Sequence, residues 1–240
     1  MKEKDLPIDF TKHKVYSRNA KKCVQKLLRR YYDEKTAAEL WEKAQLQYCE
    51  YLQDEPALAG LRITTSIYDP ILIFAWYAVI PSKPPLEEVQ QDIYQSFFGS
   101  FDLMGKVFDL NRKPDNRLAS RIFQKANDIR VEEIKEFPVS FRMGYCTYDK
   151  ENGVVRYSFT QCPNAEFAKR HHMEDVLPVM CNCDHLAMQA IHAALIREGT
   201  CVTSDRCDYC IVGDRNPIAA DYELVRAENG LLLSVRKESG

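Results

Sequence analysis

The residues best suited to chemistry are cysteines and aspartates in the C-terminal half of the chain. Cys162 precedes a proline, and Cys181 is followed three residues later by Asp184. Cys207 is followed directly by Asp208. A thiolate is a nucleophile, and a carboxylate in a cleft can accept and return protons. The sequence therefore predicts a catalytic set made of these three cysteines and two aspartates.

Asp184 and the nearby histidines also have structural interpretations. Asp184 stands at the predicted start of a helix, where aspartate commonly caps free backbone N–H groups. His185 is close enough to Cys181 in sequence to act as a ligand or a base, whereas His192 falls among apolar positions and is expected to be structural. Catalysis, capping and ligand binding all stay open for this stretch.

Four cysteines of the same region have the composition of a zinc site. Cys181-x-Cys183 and Cys207-x-x-Cys210 supply the four thiols that a tetrahedral Zn²⁺ ion requires. Against this, Cys207 and Cys210 would point to opposite faces of a strand. Free cysteine is also among the most buried residue types, so a purely structural role is a third interpretation.

Apolar periodicity divides the chain into a helical first half and a mixed second half. Residues 1–18 are polar and predicted to be loosely ordered, and residues 19–240 are predicted to form a single α+β domain. Its helical half (19–135) is expected to pack on an antiparallel sheet built from hairpins of the mixed half (136–240). One helix, over about residues 184–198, is predicted between the two cysteine-bearing segments.

A predicted hairpin leads into the first of the candidate cysteines. Its turn is the Asn152-Gly153 pair, a typical hairpin signal. Period-two alternation places Tyr157 and Phe159 on the apolar face of the second strand. The same alternation places Cys162 on the polar face, together with Arg142 from the first strand.

Composition excludes several classes of protein. With 240 residues, of which 45% are hydrophobic and 28% charged, the chain can build a hydrophobic core without staples. A net charge of −2 argues against nucleic acid as the main partner. The most apolar run, Ile71 to Ile80, is far shorter than the ~20 residues of a membrane span. The charged first ten residues and the odd cysteine count predict a cytoplasmic protein with reduced thiols, in a monomer or a homo-oligomer.

Three short motifs occur in a fixed order near the end of the chain: Phe159-x-x-Cys162-Pro163, Cys181-x-x-Asp184 and Cys207-Asp208-Tyr209. This order resembles the L-2-amino-thiazoline-4-carboxylic acid hydrolase-like family. Its members are similar in having a helical N-terminal half, a strand ending in Cys-Pro, a Cys-x-x-Asp before a helix and a Cys-Asp-aromatic strand. The resemblance covers residues 20–213.

The chain departs from the family pattern at three points. Ser204-Asp205-Arg206 stands where the family usually has a glycine before the last Cys-Asp, and Cys183 and Cys210 are extra. A predicted hairpin around Asn229-Gly230 extends beyond residue 213. These departures leave the implied fold intact and bear mainly on the substrate.

The resemblance implies a hydrolase that acts on a C–N bond of a small cyclic amidine-like or amide substrate, without a cofactor. Attack on the ring carbon needs a nucleophile, and the family motifs offer Cys162, Cys181 or Cys207 for that role. Protonation of the leaving group needs an acid, for which Asp184 and Asp208 are the candidates.

The substrate implied by the resemblance carries a carboxylate, which a guanidinium binds through two hydrogen bonds. The candidates for this role are Arg142, Arg156 and Arg206. The alternative function is a zinc-stapled module that binds a small molecule or a partner without catalysis. A small-molecule sensor without turnover is a third hypothesis.

Overall fold

The computed structural model describes residues 2–59 and 67–238, so the outer limits of the predicted segments, residues 1 and 240, lie outside the described part. The helices of the first half precede the strands, which confirms the predicted α+β class. The elements in chain order are α1 (Arg18–Tyr31), α2 (Glu34–Gln53), α3 (Tyr68–Val79), α4 (Leu86–Phe97), α5 (Ser100–Met104), α6 (Lys113–Glu136), β1 (Arg142–Asp149), β2 (Val154–Gln161), α7 (Pro163–Arg170), α8 (Pro178–Cys181), α9 (Cys183–Ala190), β3 (Ala193–Ile196), β4 (Cys207–Gly213), α10 (Pro217–Ala220), β5 (Tyr222–Arg226) and β6 (Leu232–Arg236).

The helical half is organised around α3, which is buried along almost its whole length. Leu72, Phe74 and Trp76 are each 0% exposed, as expected for a helix that is apolar on every side. Because α3 has no polar face, α1, α2 and α7 pack around it. None of the helices in the described part of the chain combines the length and apolar character that a bilayer-spanning segment needs.

The segment before α1 lies against this helical core. Leu6, His13 and Tyr16 are buried, so part of the stretch predicted to be loosely ordered contributes to packing. The helix itself begins where Ser17 accepts a hydrogen bond from the backbone N–H of Ala20 at 3.2 Å. This N-cap satisfies one of the backbone donors left free at a helix start.

The main sheet has the strand order β1-β2-β4-β3, and each neighbouring pair is antiparallel. Tyr157 of β2 lies opposite Tyr209 of β4, and Phe159 lies opposite Cys207. The predicted C-terminal hairpin is present as a separate two-stranded sheet of β5 and β6. One face of β2 and β4 therefore presents aromatic rings and a thiol towards the helices.

The helix predicted over residues 184–198 is correct only in its first part. Helix α9 ends at Ala190, and the chain turns through His192, whose φ is +58°. Residues 193–196 then form β3, which pairs with β4. A short run of consecutive apolar residues fits a fully buried strand as well as a helix, so periodicity alone does not separate the two.

Candidate functional site

A cavity of about 230 Å³ lies between the helical half and the face of the sheet formed by β2 and β4. Much of its wall is aromatic, with rings from Phe141, Tyr157, Phe159 and Tyr209. The rings of Tyr157 and Tyr209 stack with their centroids 4.5 Å apart. This volume is slightly below the ~300 Å³ at which typical ligand pockets begin, so the cavity suits a small ligand.

Four of the five predicted catalytic residues line this cavity: Cys162, Cys181, Asp184 and Cys207. They come from three separate places in the fold, namely the start of α7, the α8–α9 segment and the start of β4. Cys162 is the residue before α7 and not part of β2, so the strand alternation that placed it on the polar face does not apply. The structure thus places it with Tyr157 and Phe159.

Asp208, the fifth predicted residue, does not line the cavity. Successive side chains of a strand point to opposite faces, so Asp208 faces away when Cys207 and Tyr209 face inwards. Its carboxylate accepts a hydrogen bond from the backbone N–H of Gly199 at 2.8 Å. Asp208 therefore holds the β3–β4 connection, a structural contact that the sequence interpretation did not anticipate.

Asp184 is fixed by two donors and does not cap a helix. Arg197 Nη1 and the Tyr209 hydroxyl each donate to Asp184 Oδ2 at 3.1 Å. The second guanidinium nitrogen, Arg197 Nη2, donates to the carbonyl of Cys181 at 2.9 Å. Burial raises the pKa of Asp184, while Arg197 and Tyr209 act in the opposite direction. The Asp184 carboxyl is therefore held in a fixed position at the cavity wall by Arg197 and Tyr209.

The cavity thiols of Cys162 and Cys181 are both half-buried. Burial raises the pKa of Cys162 to about 12, partly offset by the backbone N–H groups at the start of α7. Burial also raises the pKa of Cys181 to about 11, and the positive charge of Arg197 opposes this shift. Of the two, Cys181 has the more favourable electrostatic setting for a thiolate.

Cys207 is paired with Cys201, a cysteine that the sequence interpretation had not singled out. The backbone N–H of Cys201 donates to Cys207 Sγ at 3.1 Å, and both residues are buried. Contact between the two side chains lowers the pKa of Cys201 and raises the pKa of Cys207, and burial raises the pKa of Cys207 further. Cys207 is thus the least suitable nucleophile among the three cysteines of the cavity.

The three predicted carboxylate-binding arginines lie elsewhere. Arg142, Arg156 and Arg206 are all exposed, and none lines the cavity. The guanidinium groups that do line it belong to Arg130 of α6 and Arg197, which follows β3. No motif marks Arg130 in the sequence, and Arg197 was assigned to the predicted helix.

The four thiols proposed for zinc do not converge. Cys183 turns from the cavity and donates to the carbonyl of Val179 at 3.1 Å. Cys210 faces the opposite side of β4 from Cys207 and packs in a separate cluster with Val212. Across residues 2–59 and 67–238, no group of three or more His, Cys, Asp or Glu side chains is placed to hold a metal ion. These donors therefore do not fit a zinc site in this arrangement.

The histidine next to the site is structural in its contacts. His185 is buried and its Nε2 lies 3.1 Å from the carbonyl of Leu232 in β6. Burial lowers the pKa of His185 to about 3, so the ring is neutral near pH 7. His192 is exposed, and its Nε2 lies 3.2 Å from the carbonyl of Gly105.

A larger cavity of about 350 Å³ lies beside the first, and Asn164 lines both. It contains none of the predicted site residues. Its Arg170 donates to both carboxylate oxygens of Glu55 at 2.7 Å, so these charges already satisfy each other. The smaller cavity is therefore the candidate functional site.

Comparison with known proteins gives no further guidance to the identity of the chain. No protein-family model, no curated protein and no solved structure matches it. The resemblance of its cysteine and aspartate motifs to the amino-thiazoline carboxylate hydrolases accordingly stays a prediction, and the function is inferred from the geometry of the cavity.

Proposed function

We propose that this chain is a hydrolase that breaks a C–N bond in a small cyclic amidine-like or amide substrate carrying a carboxylate. The observation that carries this proposal is the pair of Cys181 and Asp184 on one wall of the cavity. The two residues are three positions apart in consecutive helical turns, a spacing that puts side chains on the same side. A nucleophile and a proton carrier are thus neighbours.

Cys181 is the preferred nucleophile because of its surroundings. Arg197 donates to its carbonyl, and the guanidinium charge favours its thiolate. Cys162 is supported by backbone N–H groups alone, and Cys207 is tied to Cys201. Cys181 is also the thiol that shares the charged network of Asp184.

The reaction begins when the Cys181 thiol passes its proton to the Asp184 carboxylate and the sulfur attacks the amidine carbon. The tetrahedral adduct then breaks its C–N bond, and Asp184 returns the proton to the departing nitrogen. Water adds to the resulting thioimidate, and its breakdown releases the product and restores the thiol. Tyr209 and Arg197 keep the Asp184 carboxyl in place throughout.

The aromatic wall complements this chemistry. A ligand that packs against the rings of this cavity would displace water from it, which strengthens charge interactions with the ligand. The proposal includes a cytoplasmic location, since a thiol nucleophile has to stay reduced.

Binding without turnover is the second candidate. Its supporting observation is that burial raises the pKa of both Cys162 and Cys181, so both are thiols near pH 7. A chain of this kind would hold its ligand and release it unchanged. Its zinc-stapled form would require the four thiols to rearrange around one Zn²⁺ ion per chain, and elemental analysis of the purified protein measures that ion.

Turnover is tested by incubating the protein with 2-amino-thiazoline-4-carboxylate and a panel of cyclic amidine and lactam carboxylates. The expected product is heavier than its substrate by one water, as read by mass spectrometry. Cys181→Ala is expected to lower kcat by at least about 10³-fold, as loss of a nucleophile does. Cys146→Ala, a half-buried cysteine outside the cavity, is the matched control.

Two outcomes would contradict the hydrolase proposal. Full turnover by Cys181→Ala would remove the assigned nucleophile. Saturable binding with no product from any member of the panel would favour the binding protein.

A further inference from the structure

The charge of Arg130 has no counter-ion in contact with it in the described part of the chain. It lines the candidate cavity, and its Nη1 has no hydrogen-bond partner. Across the described ranges, 2–59 and 67–238, its guanidinium forms neither a hydrogen bond nor an ion pair. Glu133, three residues along α6, acts on it through charge alone. A half-buried charge left unpaired is unfavourable unless a ligand supplies the counter-charge.

Aromatic rings hold this guanidinium in position. Its Cζ lies 4.5 Å from the centroid of the Phe141 ring and 4.9 Å from that of Phe159. Stacking of this kind fixes the plane of an arginine while its N–H edge stays available for a planar acceptor. Arg130 is therefore oriented before any ligand arrives.

The second arginine of the cavity is not available in the same way. Arg197 is 1% exposed and already donates to Asp184 and to the carbonyl of Cys181. The two guanidinium groups of the cavity therefore have different roles. Arg197 binds the protein's own carboxylate, Asp184, and Arg130 stays available for the ligand.

We propose that Arg130 is the residue that recognises the ligand, and that the ligand class is a planar ring bearing a single carboxylate. The proposal rests on the proposed function for the reaction, and it replaces Arg142, Arg156 and Arg206 in carboxylate binding. A guanidinium matches a carboxylate through two parallel N–H···O bonds.

The rest of the cavity favours a flat ligand with one negative group. Tyr157 and Tyr209 stack face to face with 10° between their planes, and Phe123 also stacks on Tyr157, so the two tyrosines offer ring edges to a ligand. A flat ring packs against such edges in the T-shaped arrangement that aromatic pairs favour. Of the two arginines that line the cavity, only Arg130 lacks both a hydrogen bond and an ion pair within residues 2–59 and 67–238, so a single carboxylate suits the site better than a phosphate group with two charges.

The test measures binding and does not depend on turnover. Benzoate and benzamide are titrated calorimetrically into the wild-type protein and into Arg130→Met. The two probes have the same ring and differ in the charge of one group. We expect Arg130→Met to weaken benzoate binding about 10- to 100-fold, in keeping with hydrogen bonds between charged groups. Benzamide binding is expected to change less than threefold.

Two further variants separate recognition from structural support. Arg142→Met removes an exposed arginine outside the cavity and should bind both probes as the wild type does. Arg130→Lys keeps the charge and is expected to recover part of the benzoate affinity. Because Arg130 makes no hydrogen bond or ion pair within the described ranges, and methionine can still pack on Phe141 and Phe159, Arg130→Met should unfold at the wild-type temperature or above it.

Three outcomes would overturn the proposal: equal loss of both probes, unchanged benzoate binding in Arg130→Met, or no benzoate binding by the wild type. The hydrolase proposal fails separately. Benzoate binding that depends on Arg130, with no turnover of the amidine panel, would leave the ligand class standing and remove the enzyme. Hydrolysis at the same kcat/KM in the wild type and in Arg130→Met would do the reverse.

Discussion

Two short stretches supply the site, and they select their cavity-facing residues by different rules. In the α8–α9 segment, Cys181 and Asp184 face the cavity at a spacing of three, and Cys183 turns to the core. In β4, Cys207 and Tyr209 face it at a spacing of two. A helix repeats every 3.6 residues and a strand every two. Side chains three positions apart therefore share a side of a helix, whereas in a strand the side chains that share a face are two positions apart.

This difference between helix and strand determines which nearby residue faces the cavity together with each cysteine. On the strand, Asp208 next to Cys207 faces away, and the residue that shares the cavity face with Cys207 is Tyr209, two positions on. On the helical segment, the partner of Cys181 is one turn away. The Tyr209 hydroxyl donates to Asp184 Oδ2 at 3.1 Å, so one hydrogen bond joins the strand to the helical segment.

The largest expected effect separates the two aspartates. Asp184→Asn should lower kcat by about 10²–10⁴-fold, because the amide cannot carry the proton that the reaction moves. Asp208→Asn, on the opposite face of β4, should leave kcat within about threefold and lower stability by about 1 kcal/mol through a weaker acceptor for the Gly199 N–H. Steady-state kinetics on the amidine panel makes the comparison. Equal loss in both variants would mean that the two faces do not divide the chemistry.

The next effect concerns the arginine that joins the two stretches. Arg197→Met should lower the free energy of unfolding by about 2–3 kcal/mol, because it leaves the half-buried Asp184 carboxyl without its ion pair and the Cys181 carbonyl without its donor. Urea denaturation followed by circular dichroism measures this loss. Arg156→Met is the control, since Arg156 is exposed on the other face of β2 and its loss should cost within about 0.5 kcal/mol.

A double variant sharpens the result. Replacing both members, Arg197→Met with Asp184→Leu, should recover much of the lost stability, as apolar replacements of buried ion pairs do. A double variant no more stable than Arg197→Met alone would show that Arg197 acts through the Cys181 carbonyl and not through Asp184.

The smallest effect tests the side of α9 that faces away from the cavity. The pKa of His185 is about 3 in the folded protein, against 6.5 for a free histidine. A depressed pKa gives stability that is present above pH 6.5 and lost as the pH falls towards 3. At pH 5 the loss should be about 2 kcal/mol relative to pH 7.5.

Carboxyl groups also titrate in this range, so the measurement is a difference between variants. His185→Gln should show a flatter fall in stability between pH 7.5 and pH 5 than the wild type. His172→Gln, which changes an exposed histidine, should follow the wild-type curve. Parallel curves for all three proteins would place the pH dependence elsewhere.

The sequence was sufficient for the class of fold and for four of the residues that line the cavity. Hairpin turns such as Asn152-Gly153 are local signals, and Cys162, Cys181, Asp184 and Cys207 follow from residue type and spacing. The helical half was also predictable, because its apolar positions repeat with the helix period.

The rest depends on distant contacts that local patterns do not contain. Arg130 reaches the cavity from a helix that ends before the sheet begins, and no neighbouring motif distinguishes it. Arg197 directly follows an apolar run that is compatible with either a helix or a strand. This run forms β3 because it can pair with β4. Asp208 follows Cys207 directly in sequence but lies on the opposite face of β4, because adjacent residues of a strand point to opposite sides.

The C-terminal hairpin has a consequence for the order in which the site assembles. Asn182 bonds to both Gly230 and Leu232, and the backbone of Arg197 exchanges hydrogen bonds with Ser234. Residues 230–234 leave the ribosome after every cysteine, aspartate and arginine of the cavity. The nascent chain can therefore fold its helical half first. The segments bearing Cys181 and Arg197 complete their contacts only after β6 has emerged, so the Cys181 thiol stays accessible until then.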